Sequence, residues 1–173
     1  MIILITGASH SGKTLLSQLM IEKYRYSCLS LDHLKMGLIR SGYTDLTVED
    51  DEKLTEYLWP IVREMIKTAV ENMQNLIIEG CYVPFDWRAD FQQNYLENIR
   101  FIALVMSETY IRQNYELIRE YGNVVESRLE QDISLRSLLE DNSRYYRGFM
   151  QAGEDITLIE SDFRKSIEKL VNE

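Results

Sequence analysis

Cysteine is scarce in this sequence, and its scarcity bears on where the protein works. Only Cys28 and Cys81 occur among 173 residues, too few for a disulfide framework. The first residues also lack the charged-then-apolar pattern of a secretory signal peptide. Both absences favour a reducing compartment, so we expect a cytoplasmic protein with free thiols.

Positive charge and long apolar runs are also in short supply. The net charge is −9 and the pI is about 4.8, so the surface as a whole repels nucleic acid and anionic membranes. No apolar run approaches the roughly 20 residues that a membrane-spanning helix needs. We therefore expect neither nucleic acid nor a membrane as a partner, and any phosphate group must bind in a local basic pocket. The oligomeric state is not predicted.

Repeats, low-complexity tracts and linkers rich in proline, glycine or serine are absent as well. A chain of 173 residues suits one domain with a substantial core and leaves no room for two. We therefore expect a single domain over residues 1–173.

One stretch near the start of the chain carries most of the functional information. Residues 7–14 read Gly-Ala-Ser-His-Ser-Gly-Lys-Thr, between the apolar run 1–6 and an apolar helical face that begins at Leu15. A strand, a G-x-x-x-x-G-K-[ST] loop and a helix in this order are typical of the P-loop of nucleoside-triphosphate-binding proteins. The loop amides bind phosphate, Lys13 supplies a point charge, and the Thr14 hydroxyl ligates Mg²⁺. The alternative is a glycine-rich turn without chemical function.

The P-loop interpretation predicts ATP and Mg²⁺ as cofactors. GTP is disfavoured because no Asn-Lys-x-Asp guanine motif follows the fourth strand. The predicted nucleotide-binding residues are Gly7, Ala8, Ser9, His10, Ser11, Gly12, Lys13, Thr14 and Leu15.

Short apolar runs alternate with helical patterns along the rest of the chain. Four further runs are typical of buried strands: residues 27–31, 76–78, 101–105 and 156–159. This alternation predicts an α/β fold, a mainly parallel five-stranded sheet with helices on both faces. Ligands of such sheets bind at the carboxyl ends of the strands. That rule brings together the P-loop, Asp32, Glu79 and the segment after Val105.

Two of the helical patterns carry aromatic residues. The longest apolar helical face covers residues 54–73 and contains Pro60, so we expect a kink or a break just before that residue. Another helix is expected over residues 86–95. Its Trp87 and Phe91 are better explained as core than as ligand contacts.

Two acidic residues end predicted strands. Asp32 follows the second strand, where its carboxylate can accept the proton of an attacking hydroxyl or hold Mg²⁺ through water. It can instead be an ordinary helix N-cap. Glu79 follows the third strand, where it can ligate Mg²⁺, bind substrate or act as the base. A charged side chain at the end of a buried strand favours a functional role for Glu79.

The segment 107–151 has arginine as its only basic residue. We expect helix there, capped by Ser107 and interrupted near Gly122. The arginine fork suits phosphate oxygens, but the neighbouring carboxylates can also pair with it on a solvated helical face. Both interpretations stay open, and Arg112 is the best candidate for a phosphate-binding catalytic residue. The arginines are Arg112, Arg119, Arg128, Arg136, Arg144 and Arg147.

Taken together, these motifs resemble the small P-loop kinases related to nucleoside and nucleotide kinases, a group with shikimate, gluconate and chloramphenicol kinases and the zeta-type toxins. Residues 7–14 match the P-loop, and 77–80 match the third-strand carboxylate motif. Residues 31–40 are similar to the segment that receives the phosphate acceptor, and resemble 2-phosphoglycerate kinase-like proteins. The segment 107–151 stands where the group has its lid, and 158–163 resembles the fifth strand and the turn beside the adenine.

The resemblance implies a three-layer P-loop NTPase fold with a helical, arginine-rich lid. It also implies an acceptor site formed by Asp32, His33, Lys35, Arg40 and Glu79. Adenylate kinases carry an arginine where this chain has Lys35, and the long zinc-binding or β-rich lid of some of them is absent. The acceptor can therefore be a nucleotide, a sugar acid or another hydroxyl or phosphate compound.

The resulting hypothesis is a Mg-ATP-dependent kinase of a small molecule. Lys13 and Arg112 would stabilise the transferred phosphoryl group, Thr14 would hold Mg²⁺, and Asp32 would orient or deprotonate the acceptor. Glu79 would support the metal or the substrate. The alternative is a nucleotide-dependent switch or ATPase that acts on a protein partner and has no small acceptor.

Overall fold

A computed structural model describes residues 1–125 and 134–173 of the chain. Arg128 lies outside these ranges. The strands are β1 (Ile2–Gly7), β2 (Ser27–Ser30), β3 (Leu76–Glu79), β4 (Ile99–Met106) and β5 (Thr157–Ile159). The helices are α1 (Lys13–Tyr24), α2 (Leu31–Arg40), α3 (Asp51–Glu71), α4 (Gln93–Leu96), α5 (Glu108–Val125), α6 (Leu135–Gln151) and α7 (Phe163–Asn172). None of these helices is long and apolar enough to cross a bilayer.

The five strands form one parallel sheet in the order β2-β3-β1-β4-β5. The apolar run of β1 lies at its centre, where Ile2 pairs with Leu76 on β3 and with Ile99 on β4. A strand covered on both faces needs apolar residues on both, and every residue of β1 is buried. The predicted mainly parallel α/β sheet is confirmed.

Helices cover both faces of the sheet and make a three-layer structure. Alternate residues of β1 point to opposite faces. Ile2 and Leu4 belong to a core cluster completed by α3 and α6, whereas Ile3 and Ile5 belong to a cluster completed by α1 and α7. Because all the strands are parallel, their carboxyl ends lie along one edge of the sheet, here called the carboxyl edge.

Helix α3 runs unbroken through Pro60, so the expected break is not found. Proline within a helix costs about 3 kcal/mol through a lost hydrogen bond and a steric clash. Leu58, Trp59 and Val62 beside it are buried in the core. Each such side chain contributes roughly 1.5–3 kcal/mol on burial, so together they outweigh the cost of the proline.

The helix expected over residues 86–95 is wrong. The chain forms a 3₁₀ turn at Trp87–Asp90, becomes extended at Phe91 (φ −123°, ψ 140°) and then forms the short α4. Trp87 and Phe91 are buried, as expected, with their ring centroids 5.9 Å apart in an edge-to-face arrangement. Packing both rings into the core takes precedence over a continuous helix.

The arginine-rich segment forms two helices, α5 and α6. Ser107 caps α5 as expected, since its Oγ accepts a hydrogen bond from the Tyr110 amide at 3.1 Å. The interruption expected near Gly122 is misplaced, because α5 continues to Val125 and its non-helical residue is Asn114 (φ −120°, ψ 17°).

Candidate active site

The P-loop connects β1 to α1 at the carboxyl edge, and its glycines are needed for close packing. Gly7 has φ 131°, and a Cβ placed there would lie 2.0 Å from the Leu104 carbonyl oxygen of β4. Gly12 has φ 94°, and a Cβ there would lie 2.5 Å from the Phe163 ring of α7. His10 also takes a left-handed conformation, with φ 62°. The loop is therefore shaped by the backbone, as expected of an anion-binding nest.

Lys13 begins α1 and is buried within the loop that it follows. Its Nζ donates to the Ala8 carbonyl oxygen at 2.7 Å, and Ser11 Oγ donates to the same oxygen at 2.8 Å. Burying an ammonium group is costly unless it is hydrogen-bonded, so this contact holds the charge at the loop. Both groups therefore lie inside the loop and share one carbonyl oxygen.

Thr14 is half-buried in the first turn of α1, directly after Lys13. Glu79 is buried at the end of β3, where it pairs in register with Ile5 of β1 and Ser30 of β2. No group of three or more acidic, histidine or cysteine ligands that could hold a metal occurs within the described residues. A hydroxyl and a carboxylate near a phosphate site nonetheless suit Mg²⁺, which usually takes one or two protein ligands and completes its shell with phosphate and water.

Asp32 lies in the first turn of α2, and its carboxylate belongs to a polar network. Ser30 holds the N-cap position, so the alternative in which Asp32 is the N-cap is wrong. Lys35 Nζ donates to Asp32 Oδ1 at 2.8 Å and to the Tyr82 hydroxyl at 2.7 Å. Tyr82 donates in turn to Asp51 Oδ1 at 3.3 Å. Through Lys35 and Tyr82, the network connects the Asp32 carboxylate to the segment after β3 and to the start of α3.

The pKa of the Cys81 thiol depends on charges from several elements at the carboxyl edge. Cys81 follows β3 by two residues, and burial raises the pKa of its thiol. Lys13 lowers that pKa through its charge and a hydrogen bond, whereas Asp32 and Asp141 raise it through their charges. Charges from the P-loop, from α2 and from α6 therefore all act on the Cys81 thiol.

Helix α6 is docked on this edge by three polar contacts. Asp141 Oδ2 accepts from the Ser9 amide of the P-loop at 2.7 Å. Asn142 Oδ1 accepts from the Met106 amide at the end of β4 at 2.8 Å. The Tyr145 hydroxyl donates to the carbonyl oxygen of Cys81, after β3, at 2.7 Å. The helix therefore spans the ends of three neighbouring strands.

The arginines of the predicted lid have different surroundings. Arg144 Nη2 donates to Asp141 Oδ1 at 3.1 Å. Because Asp141 itself bonds the P-loop, this one residue connects the Arg144 guanidinium to the loop. Arg112 pairs with Glu108 at 2.7 Å and lines a groove between α5 and α6. Arg136 pairs with Glu140 on the exposed side of α6.

The strand-end rule placed the P-loop, Asp32, Glu79 and the segment after Val105 at the carboxyl edge, and the structure has them there. Lys35, which the family resemblance implies, bonds Asp32. His33 and Arg40 are exposed on α2. Sequence reasoning missed three residues at the site: Tyr82, Cys81 and Asp141. The first two follow β3 directly, so the strand-end rule could have found them. Asp141 offered no such signal, because its position depends on how α6 docks.

Several solved structures similar to this chain are kinases. The chain resembles a putative kinase from Chloroflexus aurantiacus J-10-fl, with TM-score 0.57 and 19% identity over 99% of this chain and 94% of that one. A deoxyadenosine kinase from M. mycoides gives TM-score 0.57 and 18% identity over 99% and 97%. A sugar kinase from Janibacter sp. HTCC2649 gives 0.53 and 16% over 99% and 92%. No family model and no curated protein matches the chain.

At these identities the likeness is one of fold. The chain has the three-layer α/β fold of the small P-loop kinases. The resemblance found in the sequence is confirmed at that level.

Proposed function

We propose that the protein is a kinase that transfers the γ-phosphoryl group of Mg-ATP to a small-molecule acceptor. The observation that carries the proposal is that the P-loop, with Lys13 buried in it, and Asp32, in the first turn of α2, follow β1 and β2 at the same edge of one parallel sheet. This arrangement brings a P-loop lysine to the same site as a carboxylate that can accept the proton of the acceptor hydroxyl.

Each residue has a role that follows from its position. The P-loop amides and Lys13 bind the phosphates and stabilise the charge of the transferred group. Thr14, with support from Glu79, is the Mg²⁺ ligand on the protein side. Asp32 orients the acceptor hydroxyl and accepts its proton, and Lys35 holds that carboxylate in place.

An arginine from the helices after β4 completes the phosphate site. Arg112 was the choice from sequence, and its guanidinium pairs with Glu108 on α5. Arg144 is tied through Asp141 to a P-loop amide, which supports it as a second candidate. Substitution of each arginine in turn can decide between Arg112 and Arg144.

The acceptor carries a hydroxyl group, or a phosphate, that reaches Asp32. The solved structures similar in fold include a deoxyadenosine kinase with bound dCMP and a sugar kinase, so nucleosides, nucleotides, sugars and sugar acids form the test panel. A cytoplasmic location fits the two free cysteines, Cys28 and Cys81.

Two substitutions with matched controls test the proposal. Lys13→Ala should abolish Mg-ATP binding in calorimetry, whereas Lys53→Ala, on the exposed face of α3, should bind like the parent. Asp32→Asn should keep ATP binding but lose acceptor-dependent ADP release by about a hundredfold to ten-thousandfold, the usual contribution of a general base. Asp45→Asn, in the exposed loop before α3, is its control.

Three results would each contradict part of this assignment. Unchanged ATP affinity in Lys13→Ala would remove the P-loop as the nucleotide site. If ATP binds but no member of the panel stimulates ADP release, the nucleotide-dependent switch becomes the better explanation. Full turnover in Asp32→Asn would transfer the role of base to Glu79.

A further inference from the structure

A carboxylate lies on the P-loop of this protein where an anion would bind. Asp141 Oδ2 accepts from the Ser9 amide at 2.7 Å, and Oδ1 lies 3.1 Å from Arg144 Nη2. One anionic group thus bonds a P-loop amide and a guanidinium together. Those are the two kinds of donor that phosphate oxygens take in phosphate sites.

The helix that carries this carboxylate is held in place independently of it. Asn142 and Tyr145 bond the backbone at the ends of β4 and β3, and both side chains are buried. Phe149, one turn further, is fully buried in the core. Asp141 can therefore leave the loop by rotating its own side chain while α6 stays docked.

The charges around the loop favour such an exchange when a phosphate enters. Lys13 and Arg144 are the cations near the loop, and Asp141 is the anion that bonds both a loop amide and Arg144. A triphosphate brings several negative charges to the same place, so a carboxylate that stayed on the Ser9 amide would be repelled. If the Asp141 carboxylate turned away instead, Arg144 would lose its partner and would lie beside the triphosphate.

We propose that Asp141 is a positioning residue of the phosphate site and acts as an internal phosphate mimic. In the nucleotide-free protein its carboxylate occupies a P-loop amide and holds Arg144 beside the loop. A phosphate group of ATP replaces the carboxylate on both donors, so Arg144 passes from Asp141 to the nucleotide. This inference rests on the proposed binding of ATP to the P-loop.

The proposal predicts an unusual sign for a substitution at a binding site. Asp141 competes with ATP for the same donors, so removing its charge should tighten binding. Asp141→Asn keeps the size and an amide oxygen, but a neutral acceptor bonds about half as strongly as a charged one. We expect the Kd for Mg-ATP in calorimetry to fall about threefold to tenfold, the order that such a weakening allows.

The control removes the same charge from the neighbouring residue. Glu140→Gln lies on the exposed side of α6, where Glu140 pairs with Arg136. It reports the effect of net charge alone, which salt screens strongly at the surface. We expect a change of less than about twofold for this variant. Asp141→Ser serves as the second variant should Asp141→Asn melt at a much lower temperature than the parent.

Arg144 supplies the other half of the test. Arg144→Gln should raise the Kd for Mg-ATP, because it removes the donor that the nucleotide would inherit. In the double variant Asp141→Asn/Arg144→Gln, the gain from Asp141→Asn should be smaller than in the parent, since no guanidinium remains to be released. A double-mutant cycle measures that coupling directly.

The outcomes separate this inference from the proposed function. If Lys13→Ala loses ATP binding while Asp141→Asn matches Glu140→Gln or binds more weakly, ATP binding stands and the phosphate-mimic proposal is overturned. An unchanged Kd in Arg144→Gln overturns the transfer of Arg144. If the parent binds no ATP at all, the proposed function fails and this inference fails with it.

Discussion

Helices α5 and α6 have a similar polar character and very different positions. Both are polar, rich in arginine and supported by ion pairs between residues three or four apart. Helix α5 packs through Tyr110 and Ile111, but beyond Asn114 its Leu117 and Tyr121 are 47% and 61% exposed. Helix α6 buries a stripe of four side chains along its length: Leu138, Asn142, Tyr145 and Phe149.

The comparison shows that the packing of a helix against the sheet, rather than the charge of its arginines, decides which arginine is linked to the P-loop. Arg119 on α5 and Arg144 on α6 each pair with a carboxylate three residues earlier and are 46% and 45% exposed. The carboxylate partner of Arg144 also bonds the P-loop, whereas Arg119 pairs with Glu116 on an exposed helix surface. Only the packing of α6 against the sheet separates the two arginines.

The largest expected effect is on turnover. Arg144→Gln should lower kcat by about a hundredfold or more, since arginines that stabilise a transferred phosphoryl group contribute about 10³–10⁵. Arg119→Gln should stay within about twofold of the parent, because exposed ion pairs contribute little. Both are measured as acceptor-dependent ADP release with an acceptor found in the panel.

If Arg144→Gln and Arg119→Gln had equal turnover, the contrast between α5 and α6 would not hold. The role of α6 would then be structural. Arg112→Gln, measured beside them, decides the prediction made from sequence. A loss there as large as in Arg144→Gln would mean that α5 also reaches the nucleotide.

The next effect is on stability and uses two asparagines. Asn142 and Asn114 each donate to the carbonyl oxygen four residues earlier at 2.9 Å, but only Asn142 also accepts from a buried backbone amide, that of Met106. Asn142→Ala should lower the free energy of unfolding by about 1–3 kcal/mol more than Asn114→Ala, because it leaves that amide buried without a partner. Urea denaturation measures both, and similar losses would show that α6 is no more firmly docked than α5.

The smallest effect concerns one hydroxyl group. Tyr145→Phe removes the hydrogen bond to the Cys81 carbonyl oxygen and should cost about 1 kcal/mol of unfolding free energy. Tyr146→Phe, on the exposed side of the same helix, should change it by less than about 0.5 kcal/mol. If the two variants unfold alike in urea, the tyrosine contact to β3 adds nothing to the docking of α6.

Sequence reasoning recovered what local chemistry dictates. The P-loop is a contiguous motif, and the buried strands are short apolar runs that alternate with helices, so the parallel sheet follows from connection rules. The same rules placed Asp32 and Glu79 at the carboxyl edge. The N-cap role of Ser107 was also readable, because a cap depends only on the residues beside it.

Features that depend on tertiary packing were not recovered. The continuity of α3 through Pro60 depends on the burial of its neighbours, and the extended conformation at Phe91 depends on where two rings fit. Asp141 looked like one of several carboxylates paired with arginines. Its contact with Ser9, 132 positions earlier in the chain, arises only when α6 lies across the sheet.

The central position of β1 has a consequence for the order in which the molecule can assemble. Ile2 pairs with residues 76 and 99, so the strand that leads into the P-loop precedes both of its neighbours in the order of synthesis. Until β3 and β4 have emerged, an apolar run stands without sheet partners, and contacts between distant residues form slowly. The nucleotide loop takes shape only after that closure, because Gly7 fits against the backbone of Leu104. If the protein binds ATP as proposed, a nascent chain should therefore acquire that binding only after β4 has emerged, which ribosome-stalled chains of increasing length would reveal.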